Sequence, residues 1–76
     1  MKNKIKEYRN KRGITQKELA FLVNVTTRTI ISIEKGQYNP SLMLAYKIAC
    51  VFDTTIEDIC CLKDNKLEED KKFEAI

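Results

Sequence analysis

The sequence contains no histidine, only one proline and two glycines in its 76 residues. Without histidine, the commonest proton shuttle near neutral pH and the commonest metal ligand are both missing. No glycine-rich phosphate loop is present. No cysteine has a histidine base to make it a nucleophile, so no enzyme is expected. The scarcity of Pro and Gly, beside a hydrophobic content of 43%, argues against disorder and suits a small globular fold. The three cysteines, Cys50, Cys60 and Cys61, are odd in number and two are adjacent, which implies no disulfide scaffold. Three thiols without a CxxC pair make a poor zinc set, so neither metal nor cofactor is expected. Cys50 reads as a small core filler on a helix, Cys60 as buried and Cys61 as a candidate for exposure. No run approaches the roughly 20 apolar residues of a membrane span, and the Lys-rich start lacks the apolar stretch of a signal peptide. A cytoplasmic protein with no membrane contact is expected.

What is present is charge, unevenly placed. Residues 1–35 carry a net +6 and residues 36–76 a net −3. A basic N-terminal half offers a surface to an anionic partner. At this length the chain is one domain, near the size at which a core is only marginally self-sufficient.

Apolar periodicity and punctuation place the helices. The first is predicted from about Asn3 to Arg12, with Ile5 and Tyr8 inward and Gly13 ending it. A second spans about Gln16 to Val23 and a third about Thr27 to Lys35, closed by Gly36. Pro40 prevents a continuous run, and Ser41 caps a fourth helix reaching about Phe52. Its stripe of Leu44, Ala45, Ile48, Ala49 and Phe52 faces inward. Thr55 caps a short fifth helix, where Ile56, Ile59 and Cys60 or Leu62 pack inward. Residues 63–76 scatter Leu67, Phe73 and Ile76 among charges, which leaves a sixth helix, an arm or disorder open.

The junction between the second and third helices is the most informative feature. Thr15 and Glu18 have the spacing of a capping box, and Thr26 can cap the helix that follows. Asn24 stands where a left-handed residue would end the first of the pair, a conformation Asn accepts better than most. Small Ala20, four residues earlier, lets the two helices cross closely. This is the plan of a helix-turn-helix, whose second helix is expected to read a DNA major groove.

The residues Ile14-Thr-Gln16, Leu19-Ala20, Val25-Thr26, Thr29-Ile30, Ile33-Glu34-Lys-Gly36, Asn39-Pro-Ser41 and Ile56-Glu-Asp-Ile59 resemble the lambda-repressor-like helix-turn-helix family, the Cro/C1 or Xre type. The likeness runs from about Ile5 to Leu62, and Asn24 departs from the glycine usual in the turn. It implies an all-α, five-helix lambda-repressor-like domain over residues 1–62, with residues 63–76 as a short C-terminal tail. It further implies that Thr27, Arg28 and Ser32 point into the groove and that Gln16 meets a phosphate, with an edge base beside the third helix also within its reach. In the same way Arg9 and Glu34 correspond to a partly buried scaffold pair, and the loop of Gln37, Tyr38 and Asn39 lies along the sugar-phosphate strand.

Physical chemistry bears on several of these roles. An arginine early in a groove-bound helix can donate two hydrogen bonds to guanine, worth about 1–3 kcal/mol of discrimination. Lys17 and Lys35 are flexible point charges suited to phosphate. Thr26 is assigned to the DNA backbone as well, although capping alone explains it, and Thr29 to packing or phosphate. The expected partner is double-stranded DNA, bound by a homodimer on a palindromic operator with helix 26–35 in the groove, as a repressor. No small-molecule effector is indicated. The dimer contact is sought in the fifth helix and residues 61–76, where Leu62, Leu67, Phe73 and Ile76 can be buried. The alternative is a protein-interaction module on the same scaffold, such as an antitoxin-like partner, for which Phe21, near the surface of the second helix, would serve unless it buries against the first helix.

Overall fold

In the computed structural model, which describes residues 1–74, helix α1 (Ile5–Arg12) stops at Gly13, whose φ of 68° lies in the left-handed region that glycine enters without strain. Side-chain caps start the next four helices. Thr15, Thr26, Ser41 and Thr55 each accept a hydrogen bond from the amide three residues on, at 3.0–3.2 Å. These bonds satisfy donors that a first helical turn leaves unpaired. They open α2 (Gln16–Leu22), α3 (Thr27–Glu34), α4 (Leu42–Val51) and the single turn α5 (Ile56–Ile59). Thr15 and Glu18 close a full capping box, the Glu18 carboxylate accepting from the Thr15 amide at 3.1 Å.

The residues left open as a tail are helical through the described region, as α6 (Leu62–Glu74). Asn65 explains why the chain turns there. Its amide nitrogen donates to the carbonyls of Cys60 and Cys61 at 2.8 and 3.0 Å, and to that of Lys2 at 2.8 Å. The described chain therefore has six helices and no strand. No helix among the described residues is long and apolar enough to cross a membrane.

The core gathers one face from each of α1 to α5. Ile5, Leu19, Ile30, Ile33, Ile48 and Ile59 are all within 1% of complete burial, and small Ala20, Ala45 and Ala49 let the helices approach. Phe52 is buried too, and its ring stands 5.9 Å from that of half-buried Tyr8. Leu22, the last residue of α2, is exposed, while Val23 at its C-cap is buried in the core.

Two of the cysteines depart from expectation. Cys50 is exposed instead of filling the core. It lies two residues beyond Ile48, about 200° around the helix from that buried position. Cys61 is buried, held at the α5–α6 junction with a φ of 49°. Burial raises the Cys60 thiol above its ordinary pKa, with Cys61 beside it adding to the effect, which keeps it protonated and inert.

Outside the core, Asp58 ties the start of α5 to α1. Its carboxylate accepts from the Tyr8 hydroxyl, from Thr54 Oγ1 at 3.0 Å and from Lys4 Nζ at 3.4 Å. The Tyr8 bond first, then the Thr54 bond and the Lys4 charge, hold Asp58 below the usual carboxylate pKa. Lys4 is raised in return by the Asp58 charge.

Candidate nucleic-acid interface

The α2–α3 junction turns at Asn24, whose φ is 60°. The following amide, Val25 N–H, reaches back to the Ala20 carbonyl at 3.0 Å and so closes the end of α2. Ala20 is almost fully buried, and α3 packs on α2 with Ile30 and Ile33 in the core and its other side outward.

Arg28 is exposed on that outer side, with Thr27 and Ser32 half-buried nearby. Thr26, Arg28, Thr29, Ser32 and Tyr38 line one shallow concavity, while Thr27 lies outside it. The Thr26 hydroxyl is already engaged, capping the Thr29 amide and sharing a 3.0 Å hydrogen bond with the Thr29 hydroxyl. Helix α3 ends at Gly36 with φ 75°, and the Gln37 amide returns to the Ser32 carbonyl at 2.9 Å. A side chain at Gly36 would stand 3.1 Å from the Met1 carbonyl oxygen. Asn3 secures the same end, donating to the Ile33 carbonyl at 2.8 Å.

Behind this face lies a largely enclosed charge pair. Arg9 Nε donates to Glu34 Oε2 at 2.9 Å and Arg9 Nη2 to Glu34 Oε1 at 3.2 Å, with the two side chains only 11% and 4% exposed. Arg9 Nη1 donates to the Ile14 carbonyl at 3.1 Å. Each of the three guanidinium nitrogens thus donates within the fold. Gln16, at the first position of α2, joins the pair by donating Nε2 to Glu34 Oε1 at 3.1 Å. That bond orients its amide and leaves the amide oxygen free.

The remaining candidates separate by location. Lys17, Lys35, Gln37, Tyr38 and Asn39 are exposed. Lys17 borders a depression with Glu18, Phe21 and Leu22 on α2. Asn39 borders a different depression, shared with Lys2, Asn65, Glu68 and Glu69. The two acidic residues there oppose an incoming phosphate.

Sequence reasoning missed two features of this surface. Ile31, one turn beyond Thr27 and Arg28, is half-buried yet stands apart from the core cluster. Its spacing from Thr27 and Arg28 was the available signal. Leu42, Met43 and Tyr46 make an exposed stripe on α4, recognisable in retrospect as the i, i+1, i+4 positions opposite the inward stripe. Phe21 is 84% exposed. Among the sought dimer contacts, Leu62 and Leu67 are exposed, whereas the Phe73 side chain and Ile76 lie outside the described residues.

The comparisons with known proteins agree with this geometry. A helix-turn-helix family model matches residues 5–59. An uncharacterised HTH-type transcriptional regulator of Archaeoglobus fulgidus is 54% identical over 67 residues, covering 88% of this chain and 96% of its own. Another, from Bacillus subtilis, is 47% identical over 64 residues, covering 84% and 97%. Among solved structures, the restriction-modification controller protein C.AhdI of Aeromonas hydrophila matches with a TM-score of 0.65 and 32% identity, over 70% of this chain and 80% of that one. The clp gene regulator ClgR of Corynebacterium glutamicum shares the fold with a TM-score of 0.70 at 19% identity, over 93% and 78%.

Proposed function

Because the chain belongs to the lambda-repressor-like helix-turn-helix family and is a transcriptional regulator with a DNA-binding domain of that type, we propose that it represses transcription as a homodimer on a palindromic operator. Residues 1–62 form the DNA-binding unit, to which residues 63–76 are appended, and the protein works in the cytoplasm. Helix α3 enters the major groove with Thr27, Arg28 and Ser32 toward the bases. Gln16, Lys17, Thr26, Lys35, Gln37 and Tyr38 meet the sugar-phosphate strands, while Arg9 and Glu34 serve as scaffold. Asn39 contributes least, given its acidic neighbours.

The observation that carries this reading is the outward face of α3. It presents an exposed arginine among short hydroxyl side chains, beside a Gln16 amide oriented by Glu34. Base edges and phosphates are hydrogen-bonding partners for such groups. One such unit makes too few contacts for a specific site, so two copies are placed about 34–36 Å apart on successive turns of the groove. The exposed Leu62 and Leu67 of α6 and the Leu42, Met43, Tyr46 stripe of α4 are the surfaces offered for pairing.

Selection of bound duplexes from a random-sequence pool tests the proposal. Enrichment of an inverted repeat is the expected result. A single, unrepeated motif would remove the dimer while leaving the DNA-reading role. Recovery of no motif would favour a second reading, a protein-interaction module of the antitoxin type, for which exposed Phe21 and Leu22 on α2 offer an apolar surface.

A further inference from the structure

Ile31 is the one apolar side chain of α3 that the core does not take. The core cluster receives Ile30 and Ile33 from this helix and leaves Ile31 out, and Ile31 is also absent from the partly buried residues packed on that cluster. Helical geometry says where it goes instead. At about 100° per residue, Ile31 is displaced about 100° from Ile30 and about 160° from Ile33. It follows Thr27 by four residues and Arg28 by three, the spacings that put side chains side by side on a helix surface. Ile31 therefore shares the outward side of α3 with Arg28, in the middle of the polar face assigned to the groove.

An isoleucine in that place cannot hydrogen-bond to a base edge. In the major groove the one apolar feature that distinguishes a base is the C5-methyl group of thymine. From this we infer that Ile31 is a specificity-determining residue that packs on a thymine methyl, next to the base read by Arg28. The inference rests on the DNA-reading role of α3 proposed above. Side-chain length supports the assignment. Ser32 is too short to reach far into the groove, whereas Ile31 projects a branched four-carbon group between Thr27 and Arg28. The division of labour is chemical: Arg28 supplies hydrogen bonds and Ile31 excludes water from one methyl.

The test uses the full chain and the duplex that the random pool yields. Each thymine of one half-site is replaced in turn by uracil, which removes only the methyl group. At one position the wild-type protein should lose affinity about fourfold, the effect of withdrawing one buried methyl. Ile31→Ala should bind thymine and uracil there equally, and should still discriminate at the position read by Arg28. Equal uracil losses in wild type and Ile31→Ala would overturn the assignment, because another residue would then hold the methyl. Insensitivity of every thymine in the wild-type protein would overturn it as well, and that measurement needs no variant to fold. A pool that yields no motif overturns both this inference and the DNA-reading role. A motif with no methyl-sensitive position overturns this inference alone.

Discussion

Gln16 donates its side-chain amide to Glu34, Nε2 to Oε1 at 3.1 Å, and the same carboxylate closes on Arg9. One buried acid thereby joins α1, α2 and the end of α3. The residue expected to meet a phosphate is oriented by the group that holds the scaffold together, so stability and DNA affinity are separable only by choosing which partner to remove.

Removing Arg9 tests the scaffold. Glu34 would keep its charge in a site where it is 4% exposed, and breaking a buried pair from one side costs about 3–5 kcal/mol. For a domain of this size Arg9→Ala should melt at least about 10 °C lower. An unchanged melting curve would show that the pair carries no stability.

Removing Gln16 or Lys17 tests the phosphate side. Gln16→Ala leaves the Arg9–Glu34 pair in place, so its melting temperature should move little while affinity falls by a similar factor on every DNA sequence. Lys17→Ala should also weaken all sequences alike. It should flatten the slope of log affinity against log salt by about one. A loss confined to one sequence would contradict either assignment.

Arg28→Ala should relax the selected motif at one position in each half-site, with a loss of about 1–3 kcal/mol on the preferred base. Equal losses across all base changes at every position would assign Arg28 to the backbone.

The turn residue gives a test independent of DNA. Asn24 has a φ of 60°, where an ordinary side chain costs about 1–2 kcal/mol. Asn24→Ala should lower stability in chemical denaturation, and Asn24→Gly should not. Equal stability of the two variants would rule out backbone strain as the reason for Asn at this position.

Acid stability follows from Asp58. Its pKa is held below the usual carboxylate range in the fold, chiefly by the Tyr8 hydrogen bond and then by Thr54. The unfolded chain therefore takes up this proton at a higher pH than the folded one. The contribution is complete above about pH 4 and is lost as pH falls through the folded value. Asp58→Asn should lower the melting temperature at neutral pH and make its decline below about pH 4 shallower. A parallel decline in both proteins would exclude Asp58 as a source of the acid sensitivity.

Much of the fold was legible because its signals are local. The caps at Thr15, Thr26, Ser41 and Thr55 each act over three residues, and Gly13 and Asn24 carry their backbone requirement in their own chemistry. The inward stripe of α4 followed from helical spacing, with Ala45, Ile48, Ala49 and Phe52 all buried. Cys50 is exposed because its position on the helix, two residues from Ile48, outweighs the preference of cysteine for burial. Ile31 adjoins Ile30 in the chain but lies about 100° from it around the helix, so adjacency alone does not carry it into the core.

By itself the sequence determined the punctuation of the first five helices, the helix-turn-helix junction and the basic N-terminal half, all of which depend on residue type and neighbours within about one helical turn, and it left the sixth helix open. Only the tertiary structure decided which donors are spent inside the fold. Gln16 reaches Glu34 across 18 residues, and Asn65 reaches the Lys2 carbonyl across 63. Those bonds exist because helix packing brings distant segments within about 3 Å, and no periodicity along the chain encodes which pairs will meet. The same packing, by burying Ile30 and Ile33 together, left half-buried Ile31 and exposed Arg28 outside the core.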